Sequence, residues 1–206
     1  MNFKSIKHVF FALLLTMPAV ASAQALWQEG THYNVISEKA SDDKRIREVF
    51  SYWCPACNSF ETIVIQLKTK LPADVTFTKA HVNFMGSTTT EIQNDATKAM
   101  IAAKAMKKTA EFNAALFDAI HKQRKNITGM DDILAVYAAT GGDSEKLGKM
   151  AKSFGVRSLV AKNNKLTRGV SSVPTFIVND KYQAVFGRNM TPDQFIDLLL
   201  WLTTQK

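Results

Sequence analysis

The chain has 206 residues, of which 46% are hydrophobic and 21% are charged, and this composition excludes a disordered or fibrous protein. The formal net charge is +8, with 26 basic and 18 acidic residues spread along the sequence. The length is sufficient for one good hydrophobic core, or for one core that carries a substantial inserted lobe.

Residues 1–23 have the layout of a secretory signal peptide. Lys4 and Lys7 precede an apolar run at 9–17 (VFFALLLTM), and the small residues Ala21-Ser22-Ala23 follow it. The alternative, a membrane anchor, is disfavoured because a transmembrane helix needs about 20 apolar residues. We therefore expect cleavage after Ala23 and export of the mature chain. Since an exported protein meets little nucleic acid, we interpret the densest basic cluster, HKQRK at 121–125, as a solvated helix face and expect no nucleic-acid partner.

The first part of the mature chain is predicted to combine strands with a single helix. The order is strand 32–37, strand 45–51, helix 55–70 and strand 75–83. The helix is indicated by Phe60, Ile63, Val64 and Leu67, which recur at three- and four-residue spacing. It is expected to end at Leu71-Pro72, because a residue before proline disfavours helical backbone.

The middle of the chain shows almost no strand character. Helices are predicted at 91–108, 110–123, 130–139 and 144–165. Breaks are expected at Gly129 and at Gly141-Gly142, with Asp143 or Ser144 capping the helix that follows and a kink near Gly155.

Strands return near the C-terminus. They are predicted at 175–178 and 182–186, joined by a hairpin turn at 179–181. A last helix is expected to begin at Thr191-Pro192, with a capping residue and then proline, and to run through Trp201. This order predicts an α/β protein in which a small mixed sheet is interrupted by a helical insert.

The only two cysteines, Cys54 and Cys57, lie at the predicted strand-to-helix junction. A bond between them would close a very small loop and remove little entropy from the unfolded chain, so a purely structural staple is disfavoured. Structural zinc needs four ligands, typically from two such pairs, and c-type haem attachment needs histidine where this chain has Asn58. No metal and no cofactor are therefore expected.

A redox role suits the position of this pair. Unpaired N–H groups at a helix N-terminus stabilise a thiolate, so Cys54 is the predicted nucleophile. Cys57 lies one turn inside the helix, close enough to resolve a mixed disulfide. Pro55 suits the first helical turn because it has no N–H group to lose.

A second motif, Ser172-Val173-Pro174-Thr175-Phe176, opens a predicted strand. Proline here is compatible with an ordinary edge position. The alternative is a cis Val173–Pro174 bond in a tight turn, which would leave the main chain of Val173 free to pair with an extended substrate.

Four stretches of the sequence resemble, in order, the DsbA-type thiol oxidases of bacterial periplasms. They are FSYWCPAC (50–57), TKAHVNFMG (78–86), SLVAKN (158–163) and FIVNDKYQ (176–183). The resemblance implies a thioredoxin-like fold with a helical domain inserted between the third strand and the final β-hairpin. The expected division is a signal peptide at 1–23, a thioredoxin-like domain at 24–84 and 163–206, and an inserted helical domain at 85–162. It also implies a cis proline at Pro174.

The resemblance assigns roles to two charged residues inside apolar strands. It implies that Glu48 and Lys79 lie beneath the cysteines and transfer protons for Cys57. The alternatives are a simple salt bridge or side chains that reach solvent. His81 is expected to be structural.

The substrate groove is expected around the cysteines. Val173, Pro174 and Trp53 would frame an apolar groove together with Tyr52, and Pro55 and Ala56 would contact the bound chain. Ala56 departs from the family, whose better-known members carry histidine there to stabilise the thiolate, so a weaker oxidant is expected.

The favoured function is a periplasmic dithiol–disulfide oxidoreductase that introduces disulfide bonds into newly exported, cysteine-containing proteins. The resemblance implies reoxidation by a quinone-linked membrane partner of the DsbB type, and a monomer is expected. One alternative is a reductase or isomerase tuned by Ala56. Another is a non-catalytic peptide-binding chaperone module, which predicts that serine at Cys54 leaves function intact.

Overall fold

The computed structural model describes residues 26–205, so the expected signal peptide at 1–23 lies outside the described residues. The elements are β1 (Tyr33–Val35), β2 (Arg45–Phe50), α1 (Pro55–Lys70), β3 (Thr76–His81), α2 (Thr90–Ala105), α3 (Thr109–His121), α4 (Met130–Ala138), α5 (Ser144–Ala151), α6 (Phe154–Leu166), β4 (Thr175–Val178), β5 (Tyr182–Ala184) and α7 (Pro192–Leu202). The predicted order of elements is confirmed, and α1 and β4 have the predicted bounds.

The prediction of a single helix at 144–165 is wrong. The structure has two helices there, and the chain breaks between Ala151 and Phe154 instead of bending near Gly155. Ser153 has extended backbone, and its hydroxyl accepts a hydrogen bond from the N–H of Val156 at 3.3 Å. A serine in this position satisfies a free N–H of the new helix and so favours a fresh start over a kink.

The described strands form one mixed sheet in the order β1-β5-β4-β2-β3. Strand β2 is an interior strand, parallel to β3 on one side and antiparallel to β4 on the other, and the reactive junction follows its last residue. Glu48 lies directly opposite Lys79 in this register. The β4–β5 hairpin turns at Asn179 and Asp180, both with φ near +50° (51° and 54°), as a type I′ turn requires.

The described residues contain two large apolar clusters, one under the sheet and one in the helical insert. The cluster under the sheet includes Ile46, Leu67 and Phe195, from β2, α1 and α7. The cluster of the helical insert includes Leu116 and Ile133, and both cysteines belong to it. The reactive pair therefore lies where the insert packs against the sheet domain.

Candidate active site

A tight turn carries the chain from β2 to α1. The N–H of Cys54 donates to the carbonyl of Ser51 at 3.2 Å, and the N–H of Trp53 donates to the Ser51 hydroxyl at 3.2 Å. Ser51 is fully buried. These bonds fix the loop so that Cys54 caps the helix, with extended backbone (φ −94°, ψ 112°) and Pro55 at the first helical position.

The Cys54 sulfur accepts a hydrogen bond from the N–H of Cys57 at 3.1 Å. The carbonyl of Cys54 accepts from the N–H of Asn58, which is the first bond of the helix. The sulfur therefore occupies the place that a serine or aspartate side chain usually takes at a helix start. Cys54 is 4% exposed and Cys57 is fully buried, which makes Cys54 the sulfur that a substrate can reach.

The two thiols have opposite acidities. The pKa of Cys54 is lowered to about 7, chiefly by the hydrogen bond from the Cys57 thiol and also by the N–H groups of Cys57 and Ala56, while burial opposes the shift. The same thiol–thiol bond, with burial, raises the pKa of Cys57 well above its usual range. Cys54 is the thiolate of the pair and Cys57 retains its proton, as expected for nucleophile and resolving thiol.

The Val173–Pro174 motif lies directly against the cysteine pair. The peptide bond between these residues is cis. The carbonyl oxygen of Val173 lies 3.4 Å from the sulfur of Cys54. Val173 is half-buried and packs against the insert cluster, so the motif brings β4 and the catalytic junction together across the fold.

The expected groove residues differ in how accessible they are. Pro55 and Ala56 are exposed, and Trp53 and Pro174 are half-buried. Tyr52, in contrast, is fully buried, and its hydroxyl donates to Oδ1 of Asn113 at 2.5 Å. The expectation that Tyr52 frames an exposed groove is therefore wrong, because its ring fills the core of the insert.

Glu48 and Lys79 form a buried ion pair beneath the junction. Glu48 is fully buried, the Lys79 side chain is 6% exposed, and 2.8 Å separates Oε2 of Glu48 from Nζ of Lys79. Among the described residues, neither carboxylate oxygen of Glu48 has a donor with hydrogen-bond geometry. Burial raises the pKa of Glu48 despite the attraction of Lys79. Burial alone would lower the pKa of Lys79, but its two carboxylate neighbours outweigh it and the pKa is raised.

The second of those carboxylates is Glu61, which the sequence analysis did not identify. It forms an ion pair and a hydrogen bond with Nζ of Lys79 from the side of α1. Lys79 also lies over the ring of Phe50, 4.2 Å from its centroid. A signal for Glu61 existed, because a residue four positions after Cys57 lies on the same helix face.

His81 serves a structural role, in agreement with expectation. It is buried, its Nε2 accepts from the N–H of Tyr52 at 3.2 Å, and its Nδ1 lies 2.9 Å from the hydroxyl of Thr97. Burial lowers the pKa of His81 to about 3, so the ring is neutral and holds the loop as a hydrogen-bond acceptor.

His121 also holds this loop, which the sequence analysis missed. Its Nε2 donates to the carbonyl of Tyr52 at 2.7 Å, and its ring stacks against Phe117. The interpretation of 121–125 as a helix face is wrong, because α3 ends at His121. Residues 122–125 are exposed, and Arg124 takes a φ of 54°.

Within residues 26–205 there is no group of three or more His, Cys, Asp or Glu side chains that could hold a metal ion. In the same part of the chain, no helix is both long enough and apolar enough to cross a membrane.

Comparison with known proteins agrees with this geometry. A model of the DSBA-like thioredoxin domain matches residues 45–199. The chain belongs to this family. The thiol:disulfide interchange protein DsbA of Haemophilus influenzae is 34% identical over 198 residues, 92% of this chain and 93% of that protein. DsbA of Escherichia coli (strain K12) is 32% identical over 182 residues, 86% of each chain.

Solved structures support the fold. The crystal structure of Pseudomonas aeruginosa DsbA aligns with a TM-score of 0.75 and 28% identity, over 87% of this chain and 94% of that one. The DsbA of Proteus mirabilis aligns with a TM-score of 0.77 at 23% identity. The fold is the DsbA-like thioredoxin fold, and the chain is a thiol:disulfide oxidoreductase.

Proposed function

We propose that Cys54 and Cys57 carry the exchange and donate their disulfide to newly exported proteins. A substrate thiolate attacks the Cys54 sulfur, the Cys54–Cys57 bond breaks, and a mixed disulfide forms between substrate and Cys54. A second substrate thiolate then attacks the substrate sulfur, and Cys54 leaves as a thiolate. The substrate dithiol is oxidised by two electrons and the enzyme disulfide is reduced. The observation that carries the proposal is the lowered pKa of Cys54, the less buried of the two thiols, beside a fully buried Cys57 with a raised pKa.

The leaving Cys57 needs a proton, because its pKa lies well above neutral pH. We propose that Glu48 supplies this proton and takes it back when the enzyme is reoxidised. Its raised pKa, its burial and its unsatisfied oxygens support a carboxyl group that exchanges a proton readily. Lys79, itself paired with Glu61, would hold Glu48 in place and balance its charge. The charge of Glu48 also contributes to raising the pKa of Cys57, so the two groups interact electrostatically.

The substrate chain would lie across the exposed edge of the junction. Val173 and the cis Pro174 would supply main-chain pairing, and Trp53, Pro55 and Ala56 would supply an apolar surface with little side-chain readout. Such a surface suits unfolded, cysteine-containing chains of many sequences. Nothing in it selects one substrate.

We place the enzyme in the periplasm, after cleavage of residues 1–23, with a quinone-linked membrane protein of the DsbB type as reoxidant. We expect a monomer. The inserted helical domain would correspond to the expected 85–162, although α6 itself continues to Leu166.

A reductase or isomerase is the second candidate, and Ala56 favours it. The exposed Ala56 side chain offers no charge and no hydrogen bond to the Cys54 thiolate, so backbone groups and Cys57 alone stabilise it. A chaperone module without redox chemistry is disfavoured by the opposite acidities of the two thiols.

The deciding experiment is the reduction potential of residues 24–206 against glutathione, with Trp53 fluorescence as the reporter. The reference values are about −120 mV for DsbA itself and about −270 mV for thioredoxin. A potential well above about −200 mV would support the oxidase. A potential near that of thioredoxin would favour the reductase or isomerase. Cys54→Ser must abolish exchange in either case, and full function in that variant would leave only the chaperone module.

A further inference from the structure

Strand β3 is an edge strand of the sheet, and one part of its outer side is open. The N–H groups of Thr76 and Val82 donate towards the β2 side, to the carbonyls of Lys44 and Phe50. The backbone N–H and C=O groups of successive residues point to alternate sides of a strand, so those of the odd-numbered residues of β3 point away from β2. His81 is one of these residues, and its outward N–H and C=O groups both have a hydrogen-bond partner.

The side-chain amide of Asn163, on α6, pairs with the main chain of His81 as a neighbouring strand would. Oδ1 of Asn163 accepts from the N–H of His81 at 3.0 Å, and Nδ2 donates to the carbonyl of His81 at 2.8 Å. One amide group thus covers this outward position completely. The preceding outward position is Lys79.

The main chain of Lys79 has no such partner among the described residues. Lys79 as a whole is half-buried, while its side chain is only 6% exposed, so the accessible part of the residue is its main chain. Its ammonium group points to Glu48 and Glu61 instead. An unpaired N–H and C=O on an edge strand are a template for pairing with another chain.

A groove opens at this position. We call it the β3-edge groove: a cavity of about 400 Å³ between β3, α2 and α6, lined by Lys79, Ile101, Lys104, Leu159 and Lys162 among others. Its walls also include Met100 and Leu166, so the interior is mainly apolar. The groove shares Lys79 with the buried ion pair beneath the cysteines, but none of Trp53, Cys54, Cys57, Val173 and Pro174 lines it.

The charge of the groove has one sign. The described residues that line it include lysines but no Asp or Glu. Within residues 26–205, Lys104 and Lys162 are exposed and take part in no ion pair. An apolar slot with free cations at its rim complements a ligand that combines apolar and acidic side chains.

We propose that the β3-edge groove is a second peptide-binding site, which takes an extended, acidic segment of another chain. A peptide amide pairs with the main chain of Lys79, as the Asn163 amide does with His81. Alternate side chains of the segment enter the slot between α2 and α6, and its acidic side chains meet Lys104 and Lys162. The need for a main-chain amide favours a peptide over a fatty acid or another anionic amphiphile.

The experiment uses the oxidised mature chain and a short fluorescein-labelled peptide, free of cysteine, in which valine and glutamate alternate. Because the peptide has no thiol, its binding does not depend on redox activity. Fluorescence anisotropy measures affinity, and amide hydrogen exchange by NMR reports on Lys79. Two control peptides replace glutamate by lysine or carry N-methylated backbone nitrogens.

The matched protein variants separate this groove from general charge. The double variant Lys104→Glu/Lys162→Glu reverses the rim, and Lys146→Glu/Lys152→Glu makes the same change in net charge on α5 and just after it. Ala105→Trp, at an exposed position of α2, fills the slot without altering charge. Circular dichroism checks that each variant is folded.

The expected result is binding of the glutamate peptide, weakened about tenfold or more by the Lys104/Lys162 reversal and by Ala105→Trp, but unchanged in the α5 control. Exchange of the Lys79 amide slows on binding, while that of Ala80, which faces β2, does not change. Absence of binding would overturn the proposal. Equal affinity for the lysine peptide or the N-methylated peptide would also overturn it, as would competition by dodecanoate with the same change at Lys79.

Discussion

His121 donates a hydrogen bond from Nε2 to the carbonyl oxygen of Tyr52 at 2.7 Å, and this bond joins the end of α3 to the loop before Cys54. It is one of three that Tyr52 makes, since His81 accepts from its N–H and Asn113 accepts from its hydroxyl. Every polar group of Tyr52 is therefore bonded, and two of the three partners belong to the inserted helices. The insert thus helps to hold the catalytic loop in place.

Replacing His121 tests this relationship. His121→Leu keeps much of the volume but leaves the buried carbonyl of Tyr52 without a donor, so the free energy of unfolding should fall by about 1–3 kcal/mol. His121→Gln retains a donor group and should lose clearly less. Urea denaturation of the three proteins measures both effects. Equal stability of the leucine and glutamine variants would show that ring packing on Phe117, not the hydrogen bond, is what matters.

The acidity of Cys54 predicts how stability depends on pH in the reduced enzyme. The pKa of Cys54 is about 7 in the folded protein and about 8.5 in an unfolded chain. Folding therefore favours the thiolate form of Cys54. A lowered pKa contributes stability that is present above the unfolded value and lost as pH falls through the folded value. The reduced protein should therefore gain stability as pH rises from about 7 to about 8.5.

The oxidised protein is the control for that prediction, because it has no thiol to titrate. Urea unfolding of both forms across this pH range should show the gain in the reduced form only. The ultraviolet absorbance of the thiolate should titrate near pH 7, and Cys54→Ser should remove this transition. An identical pH profile for the two redox forms would contradict the assignment of the thiolate to Cys54.

The sequence predicted those parts of the site that depend on neighbours in the chain. The positions of Cys54, Pro55 and Cys57 at a helix start follow from local capping rules, and the structure has them there. The position of Glu61 could also have been predicted in this way, since it lies one helical turn beyond Cys57. The break between α5 and α6 was also predictable, because serine is a favoured residue at a helix start.

Contacts between distant segments were beyond that reasoning. His121 reaches a carbonyl 69 positions earlier in the chain, and Asn163 pairs with a residue 82 positions away. Hydrophobic periodicity places a helix but does not tell which loop its last residue meets. The burial of Tyr52 has the same cause, because its partners Asn113 and Phe112 come from α3.

Ala56→His tests the departure from the better-known family members. Ala56 is exposed in the first turn of α1, so a histidine there is free to approach the Cys54 sulfur. A cationic or hydrogen-bonding side chain stabilises the thiolate, so the pKa of Cys54 should fall below its present value of about 7 and the reduction potential should rise. Glutathione equilibration measures the potential, and Ala56→Gln separates charge from added volume. An unchanged potential in the histidine variant would show that backbone groups and Cys57 already set the acidity of Cys54.

Glu48→Gln tests the proposed proton transfer. Glutamine cannot release a proton to Cys57, so exchange with a dithiol peptide should slow by roughly tenfold or more, and its dependence on pH should flatten. The free energy of unfolding, unlike the exchange rate, should not fall in this variant. Burial raises the pKa of Glu48, and such a group contributes stability below its unfolded pKa that is lost as pH rises through the folded value. Removing the carboxylate should therefore not destabilise the protein at neutral pH, since Glu61 remains paired with Lys79.

The matched control for Glu48→Gln is Glu61→Gln, which removes the other carboxylate on Lys79 but leaves the buried acid in place. It should slow exchange less than Glu48→Gln does, because Glu61 is partly accessible to solvent whereas Glu48 is fully buried. Stopped-flow Trp53 fluorescence on both variants, across the pH range in which the wild type changes rate, makes the comparison. If Glu48→Gln exchanges at the wild-type rate, or if the two variants slow equally, then the buried acid holds Lys79 in place and the proton on Cys57 comes from solvent.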